Sequence, residues 1–544
     1  MKLNNMTAVL LAATMLGGVA TPALAASKKS SDSELRAVVE RQQKQIDALT
    51  AQIQAMQANA APVVGALAGG VAADATAAEE NASNIEFMQA TIEAQQAQLD
   101  ALKKTTATNA PNWKGAPELK SGTGFTWKPN GVIQLDAGYV SNPDNRVPTT
   151  NLGWNSLFRR LLFGVEGTVP GGFKYKMQFN FAGGAVGFED VLFAYEPEGS
   201  HLSAELGYFY AYNGMENQTS NRFLSVMERA QYTEAFNEDR RIGVGGKYQN
   251  PTFLAQVGLF NGTSINNNGD NTAWQLSARG VWYPKFGTTQ LHVGGSYQNR
   301  TNQKSALNGA YSARPFTRLT TVRFIGAGVE PSPLPANPPG LSGSLNGSIA
   351  SFGDQILGYE FAAIHGPLSF KSEGQYLMVD AIQPGDVLSG GEATQGFRTL
   401  KDPNFFTVFG EVGYWFTGET LGYKNGKFDR TKIIKPFDQG GWGGIQAVAR
   451  VDYLNMNYYV GGATGSNNGA VVNGTLNGGS QLGALFAVNW WPTDYVRFSA
   501  QYTHAKIQGG PLAAIVDPTV VGSPPVYDRN YGVNVFALRG QVDF

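Results

Sequence analysis

Apolar and polar residues alternate along most of the chain after residue 125. In the clearest run, Phe173 to Phe181, every second residue is aromatic or Met, and the residues between them are Lys, Gln or Asn. A period of two is the pattern of a β-strand whose two faces have different surroundings. Counting similar runs up to the C-terminus predicts about sixteen strands.

The last fourteen residues, Tyr531 to Phe544, show which surroundings these are. Towards the end, one face carries Phe536, Leu538 and Val542, and the other carries arginine, glutamine and aspartate. This is typical of a membrane β-strand with lipid outside the barrel and water inside. Bacterial outer-membrane barrels also commonly end on an aromatic residue. The alternative is an edge strand of a soluble sheet, and the N-terminal residues help to decide between the two.

The first 25 residues have the pattern of a secretory signal. Lys2 is followed by an uncharged, largely apolar run from Met6 to Ala20, and Ala23-Leu24-Ala25 forms an A-x-A cleavage site. The run is too short for a membrane-spanning helix, and no other stretch has eighteen consecutive apolar residues. We therefore expect residues 1–25 to be removed and the mature protein to lie in the outer membrane of a Gram-negative bacterium.

The connections between predicted strands alternate between short and long. Short turns such as Val169 to Gly172 and Pro492 to Asp494 contrast with long Gly-, Asn- or Pro-rich stretches such as Gly328 to Gly347 and Gly461 to Gly479. This rhythm matches the periplasmic turns and extracellular loops of a barrel. Thr417 to Gly441 is an exception, because it is long where a short turn is due. Either this connection is unusual or the strand count is wrong there.

A region of different composition precedes the barrel. From Asp32 to Thr105 the chain is rich in Ala, Gln and Glu, and two runs place apolar residues at 3–4 spacing, separated by the Ala/Gly-rich stretch Ala58 to Ala78. The apolar positions are Leu35, Val39, Ile46, Leu49, Ile53 and Met56, and then Ile85, Met88, Ile92, Leu99 and Leu102. The pattern predicts an α-helical coiled coil within a periplasmic region, residues 26–110, and the isoleucines favour three strands. Amphipathic helices lying on another surface are the alternative.

Composition excludes several classes of function. The chain has no Cys and a formal net charge of −1, so disulfides, thiolate metal sites and bulk attraction of nucleic acid are not expected. Its four His residues are scattered without zinc spacing, and neither a phosphate-binding loop nor a nucleophile elbow occurs. We therefore expect neither an enzyme nor a cofactor.

Charged residues that alternation places inside the barrel include as many acids as bases. Each is most simply a solvated wall position or half of a cross-strand pair, so the wall alone predicts no strong charge selectivity. The stretch Tyr210 to Arg241 is too long for one strand, and it contains four arginines and five acidic residues. We predict that it folds into the barrel as a constriction, with a short helix over Phe223 to Glu234. Arginine suits phosphate, since its planar fork donates paired hydrogen bonds and keeps its charge.

Several segments resemble one known family. Phe158 to Gly184 (FRRLLFGVEGTVPGGFKYKMQFNFAGG), Asn217 to Ala230 (NQTSNRFLSVMERA), Arg240 to Tyr248 (RRIGVGGKY) and Gly413 to Asn457 (from GYWFTGET to DYLNMN) are similar, in this order, to the phosphate-selective porin O/P family. The resemblance implies a trimeric porin of sixteen strands, with anion-binding residues in the pore.

The resemblance also matches individual residues to motifs of the family. The family's paired arginines match Arg159 and Arg160, and its M-E-R element matches Met227, Glu228 and Arg229. One departure concerns selectivity. Phosphate-specific members carry a ladder of arginines down one side of the pore, and no dense arginine run is visible in this sequence.

We therefore expect an all-β membrane barrel, residues 125–544, that forms a homotrimeric porin in the lipid of the outer membrane and passes small hydrophilic solutes. The residues expected to bias it towards anions, phosphate included, are Arg159, Arg160, Lys174, Lys176, Arg222, Arg229, Arg240 and Arg241. Two alternatives remain: a general or sugar-type porin without phosphate selectivity, and a coiled coil that contacts peptidoglycan and tethers the membrane to the cell wall.

Overall fold

The computed structural model describes residues 40–41, 43–48, 50–51, 54–55, 83, 85–100, 112–147, 151–262, 272–327, 348–390, 392–394, 396–465, 470–516 and 525–544. The chain divides into two compact units, Met1–Pro111 and Asn112–Phe544. In the first unit, residues 43–48 and 85–100 are helical, and Ile46 and Leu99 are buried. The predicted signal peptide and the Ala/Gly-rich stretch lie outside the described residues, and the coiled coil remains a prediction.

The second unit is a closed barrel of sixteen antiparallel strands. Each strand pairs with the next along the chain, and the last strand pairs with the first. The strands are β1 Thr126–Val140, β2 Gly153–Val169, β3 Phe173–Asn180, β4 Gly187–Tyr195, β5 Leu202–Tyr210, β6 Arg240–Gln249, β7 Phe253–Asn261, β8 Trp274–Trp282, β9 Thr289–Thr301, β10 Ser351–His365, β11 Leu368–Ala381, β12 Asn404–Trp415, β13 Gly444–Tyr459, β14 Thr475–Thr493, β15 Val496–Gln508 and β16 Asn530–Asp543.

Short elements complete the unit. The short strands are Asn112–Lys114, Ala116–Lys120, Lys285–Phe286, Tyr311–Ala313, Ile325–Ala327, Arg398–Thr399, Tyr423–Lys424, Lys427–Phe428, Ala463–Thr464 and Val471–Val472. The helices are α1 Met215–Gln218, α2 Gln231–Ala235 and α3 Ala513–Val516, with 3-10 turns at Pro143–Asn145, Asn221–Phe223, Phe437–Gln439 and Val526–Asp528. Across the parts of the chain that the structure describes, none of the helices has the length and apolar character that crossing a membrane requires.

The two faces of the strands have the surroundings that the alternation predicted. On β16, Phe536 and Leu538 are 44% and 48% exposed on the outer surface, while Arg539 and Gln541 are buried inside. The outer surface of the other strands carries similarly exposed aromatic and aliphatic residues, such as Phe163 on β2. An apolar exterior of this kind matches the hydrocarbon core of a bilayer.

The alternation of short and long connections is also present. β2–β3, β4–β5, β6–β7, β10–β11 and β14–β15 are joined by short turns at one end of the barrel, the short-turn end. The exception, Thr417 to Gly441, lies at this end between β12 and β13 and leaves the strand count unchanged. The connection itself is therefore unusual, and the predicted number of strands is right.

Strand length divides the wall into two parts. The six strands β3 to β8 have eight to ten residues each. The remaining strands have twelve to nineteen residues, the shortest being β12 and the longest β14. We call β3 to β8 the short wall.

Apolar packing fills part of the lumen near the long-loop end, which differs from the expectation of polar lumen faces throughout. Residues 302–327, in the connection between β9 and β10, fold inward, and Phe316 and Leu319 join a buried apolar cluster with Val533 and Val535 of β16. Inward-facing glycines make room for it: a Cβ on Gly483 of β14 would overlap the Phe316 ring. We call residues 302–327 the arginine loop, because they contribute the three arginines described below.

Candidate functional site

The connection between β5 and β6, residues 211–239, crosses the lumen and is the constriction loop. Its central part, residues 224–230, is not helical, and the helix predicted over Phe223 to Glu234 is wrong apart from its last residues, which fall in α2. The physical reason is that wall side chains bind the backbone that a helix would use. Arg497 donates to the carbonyl of Leu224 at 2.5 Å, and Arg539 donates to the carbonyl of Met227 at 2.5 Å.

A buried ion-pair network fixes the loop to the long-stranded wall. Glu216 of α1 accepts hydrogen bonds from Arg450 of β13, and Lys371 of β11 lies 3.4 Å from the same carboxylate. Both cations also bind Glu411 of β12, at 2.6 Å from Arg450 and 2.9 Å from Lys371. Burial would raise the pKa of Glu216, but Arg450 and Lys371 lower it to about 2. Glu216 is therefore ionised at neutral pH and holds the loop electrostatically.

A β-bulge turns two consecutive arginines into the lumen. Gln134 of β1 pairs with Arg160 and the next residue, Leu135, pairs with Phe158, so Arg159 is the extra residue on β2. Arg159 binds Glu228 of the constriction loop at 2.8 Å, and Arg160 donates to the Gln134 side chain at 2.8 Å. Simple alternation would send one of the two side chains outward, and the bulge removes that constraint.

A second bulge does the same for two acids on β4. Met177 pairs with Val191 and Phe179 with Phe188, so Glu189 and Asp190 together face one residue of β3. Both carboxylates bind Arg240 at 2.6 Å, and Asp190 also binds Lys176 at 2.6 Å. The bulges on β2 and β4 therefore place opposite charges near each other on the lumen side of the wall.

Water reaches the inward-facing charges of β3, β5 and β6 more than those of the opposite wall. Lys176 and Lys247 are 29% and 23% exposed at their side chains, whereas Glu411 and Arg450 are at most 1% exposed. The constriction loop and the arginine loop cover the opposite wall. The open path through the barrel therefore runs beside β3 to β6.

The arginine loop adds three cations that the sequence analysis missed. Arg314, Arg318 and Arg323 all lie within 4.0 Å of one carboxylate, that of Glu234 in α2. Burial lowers the pKa of Arg314, the ion pair with Glu234 opposes this, and Arg318 and Arg323 lower it further. The available signal was the stretch SARPFTRLTTVRF, whose arginines recur every four or five residues inside a long connection.

The first half of the unusual connection folds into the lumen from the short-turn end. Its strands Tyr423–Lys424 and Lys427–Phe428 form the inner hairpin, whose two turn residues Asn425 and Gly426 have φ values of 54° and 75°. Such an Asn-Gly turn is typical of a tight two-residue hairpin. The hairpin is anchored by hydrogen bonds from Arg279 to the Gly426 carbonyl at 2.9 Å and between Tyr423 and His292 at 2.6 Å.

The inner hairpin presents two lysines at its tip. Lys424 and Lys427 pair across it and are exposed, and neither has an ion pair with a residue that the structure describes. Lys427 is in contact with solvent, but it lies inside the barrel with protein around it. This enclosure, together with the charges of Lys247 and Lys176, lowers the pKa of Lys427 to about 8.

The eight residues predicted to bias the pore towards anions do not form one site. Arg159 and Arg160 lie at the constriction. Lys176 and Arg240 lie beside it on the short wall. Arg222, in the 3-10 turn of the constriction loop, stacks on Phe223 with 5.2 Å between its guanidinium carbon and the ring centroid.

The other three predicted residues have local partners. Arg229 donates to the carbonyls of Glu216 at 2.9 Å and Thr219 at 2.8 Å, so it holds the constriction loop together. Lys174 pairs with Glu196 near the short-turn end, and Arg241 donates to the Gly262 carbonyl.

Comparison with known proteins shows which family the barrel resembles. The family model described as phosphate-selective porin O and P matches residues 128–517. An uncharacterized protein of Caulobacter vibrioides is 31% identical over 452 residues, covering 81% of this chain and 78% of that protein. Porin O of Pseudomonas aeruginosa is 25% identical over 397 residues, covering 70% of this chain and 83% of that protein.

Solved structures are more distant. The outer membrane channel DcaP of Acinetobacter baumannii aligns with a TM-score of 0.43 and 13% identity, covering 78% of this chain and 99% of that chain. The family match spans most of the barrel, and the chain therefore belongs to the phosphate-selective porin O and P family of outer-membrane channels.

Proposed function

We propose that this channel passes small hydrophilic solutes by passive diffusion and prefers anions. The observation that carries the proposal is an excess of accessible cations along the open path. Three arginines share the single carboxylate of Glu234, and the two lysines of the inner hairpin tip have no acidic partner among the described residues. Like charges placed together in a narrow lumen attract counter-ions into it.

The preferred anions in this proposal include phosphate. The cations form three steps from the long-loop end to the short-turn end: the arginine loop, then Arg159 and Arg160, then Lys427 with Lys247 and Lys176. Arginine forks bind phosphate oxygens in pairs, and lysines attract them as point charges. In this proposal the arginine loop supplies part of the arginine ladder that phosphate-specific relatives carry. The cations of the three steps are far apart along the chain, and for this reason the sequence shows no dense run of arginines.

The test is the reversal potential of the purified protein in a planar bilayer under a salt gradient, repeated with added phosphate. We expect anion selectivity and a conductance that phosphate reduces. The triple variant R314Q/R318Q/R323Q should lose most of both effects, and R398Q, which alters a half-buried arginine bound to carbonyls of its own long loop, should keep them. A cation-selective or unselective current in the unaltered protein would contradict the anion preference. The absence of any channel would contradict the whole proposal.

A general or sugar-type porin is the second candidate, and one observation favours it. Several cations on the accessible wall are already paired, as in Lys176 with Asp190 and Lys247 with Glu205. Paired charges leave little net field for an ion to follow. A weakly selective current that is indifferent to phosphate, combined with liposome swelling in neutral sugars, would support this candidate instead.

The proposal also covers the oligomeric state of the barrel and the role of the N-terminal region. The family resemblance supports a homotrimer, and the predicted coiled coil would add a trimerising stalk with contact to peptidoglycan. Chemical cross-linking in membranes tests the trimer. Deletion of residues 32–105 tests the tether: an envelope defect with unchanged permeability would support it, and an unaltered envelope would argue against it.

A further inference from the structure

The second half of the unusual connection turns the opposite way from the inner hairpin. Residues 432–443, which we call the rim flap, lie at the short-turn end between Thr431 and the start of β13. Ile433 is buried with the indoles of Trp415 and Trp491, and its backbone N–H donates to Asp494 at 2.8 Å. The following residue, Ile434, is 54% exposed. The apolar side chain therefore points inward at Ile433 and outward at the next residue, Ile434.

Three apolar side chains of the rim flap are exposed on its outer surface. In addition to Ile434, Phe437 is 46% and Trp442 is 82% exposed. A soluble surface would gain nothing from exposing these three side chains together on one short segment. At a membrane–water interface the same arrangement is favourable, because aromatic side chains prefer the level of the headgroups.

The rim flap is continuous with the lipid-facing surface of the barrel. The Phe437 ring lies 5.5 Å from the ring of Trp490 on β14, and Trp490 stacks at 5.5 Å on Phe498 of β15. The Trp490 indole N–H donates to the carbonyl of Trp442 at 2.9 Å. The apolar exterior of β14 and β15 thus extends without interruption onto the flap, and the bilayer that covers one covers the other.

Two lysines stand among these apolar residues. Lys432 and Lys435 are exposed and form no ion pair with any residue that the structure describes. Asp438, which is exposed, is the acid within residues 432–443, so the flap carries a net charge of +1 (two lysines, one aspartate). Lysine stems can lie along apolar surface while the ammonium group reaches the phosphates of lipid headgroups.

We propose that the rim flap binds the headgroup of an acidic phospholipid in the bilayer leaflet at the short-turn end. Lys432 and Lys435 bind the phosphate, and Ile434, Phe437 and Trp442 insert beside the acyl chains. In outer-membrane barrels the short turns face the periplasm, which assigns the flap to the inner leaflet. Each lysine near an anionic surface contributes enough to raise affinity several-fold, so the pair gives a clear preference for acidic lipid.

The preference is tested by native mass spectrometry of the full chain in detergent, titrated with phosphatidylglycerol or phosphatidylcholine. We expect K432Q/K435Q to weaken phosphatidylglycerol retention roughly tenfold or more and to leave phosphatidylcholine retention unchanged. The control K304Q/K401Q removes two positive charges from the long loops and should change neither. Unaltered phosphatidylglycerol retention in K432Q/K435Q, with the barrel folded, would overturn the proposal.

The depth of the flap is tested separately by tryptophan fluorescence in vesicles. Brominated acyl chains should quench the wild type more than W442F, and W442F should still fold and conduct. Equal quenching of the two proteins would overturn the insertion of Trp442. A cross-link from residue 442 to a second copy would also overturn it, because the flap would then be an interface between protomers.

Discussion

Arg450 of β13 binds two carboxylates that come from different parts of the chain, Glu216 in the constriction loop and Glu411 in the neighbouring strand β12. All three side chains are almost completely buried. The pairing joins a segment that narrows the pore to a part of the wall that does not line the open path. The dimensions of the pore therefore depend on residues that no solute contacts.

Replacing Arg450 with Met should release the constriction loop. The carboxylates of Glu216 and Glu411 would then remain buried with Lys371 as the one ion-pair partner left to them among the described residues. Removing one member of a buried network typically costs about 3–5 kcal/mol. We expect larger and noisier single-channel conductance and a lower urea midpoint for unfolding from lipid vesicles. R398Q, which removes a half-buried arginine bound only to carbonyls of its own loop among the described contacts, should change neither quantity. An unchanged conductance in R450M would show that the loop is held by other contacts.

Deleting Arg159 should be tolerated, whereas deleting Phe163 should not. Arg159 is the extra residue of a bulge, so its removal leaves β2 in regular pairing with β1 before and after that point. The deletion removes one positive charge from the lumen. Phe163 lies in regular pairing, and its removal would turn the rest of the strand inside out. Folding is measured by the heat-dependent gel mobility of the barrel, and selectivity by the reversal potential. Failure of both deletions to fold would contradict this interpretation of the bulge.

Anion preference should weaken as pH rises through about 8. The pKa of Lys427 is lowered to about 8 by burial and by the neighbouring Lys247 and Lys176. A lysine loses its charge above its pKa, so the contribution of Lys427 to the attraction is complete at pH 6 and largely lost at pH 9, while the contribution of the arginines remains. The measurement is the reversal potential over this range, with K427R as the control, since arginine keeps its charge. Equal pH dependence in the wild type and K427R would assign the effect to another group.

Glu238 should make the barrel more stable at low pH than at high pH. Burial raises the pKa of this carboxyl to about 7, although Gln375 and Gln298 donate hydrogen bonds that oppose the rise. The folded state therefore binds a proton that the unfolded state releases near its ordinary value of 4.5. This contribution is complete below about 4.5 and is lost as pH rises through about 7, with a limit of about 3 kcal/mol.

The measurement for Glu238 is urea unfolding at pH 5 and pH 8. E238Q should flatten the difference between the two pH values, and E198Q, in an exposed turn, should preserve it. If E238Q unfolds with the pH dependence of the wild type, the carboxyl titrates near its ordinary value in the barrel.

Replacing Gly483 with Ala should displace the arginine loop. The added Cβ would overlap the ring of Phe316, and overpacking of this kind typically costs about 1–3 kcal/mol. We expect higher conductance and a smaller effect of phosphate, because the loop carries Arg314, Arg318 and Arg323. The second substitution F316A should restore the arrangement. Gly410→Ala is the matched control, since nothing lies within 4 Å of a Cβ there. If G483A leaves both readings unchanged, the loop adapts without moving its arginines.

The strands could be predicted because their signal is local. Each of them alternates between lipid and interior, and the period of two is visible over a few residues. The same rule could not predict that Arg159 faces the lumen. A bulge depends on the register between two strands, and the alternation along one strand does not show it. Glu189 was missed for the same reason, because only the pairing of β3 with β4 turns it inward.

The interior of the barrel was harder to predict because it is made by long-range packing. The inward position of Arg314 depends on Phe316, and Phe316 fits only because β14 has glycine at residue 483, far along the sequence. The predicted helix of the constriction loop failed for a related reason: Arg497 and Arg539 bind carbonyls that a helix would have used. The exception at Thr417 to Gly441 was visible in the sequence, but its division into an inner hairpin and an outer flap was not.

The pairing of β16 with β1 constrains the order of assembly. Val535 lies opposite Val140, so the seam joins residues that are separated by most of the chain, and contacts at such separation form late. Once the seam is closed, the constriction loop, the arginine loop and the inner hairpin have no route into the lumen except through its two ends. The ion pair of Arg430 with Asp543, 2.7 Å long, ties the base of the inner hairpin to the closing strand itself. Because this ion pair joins an inner segment to the last strand, we expect closure of the wall and placement of the inner hairpin to be coupled during assembly.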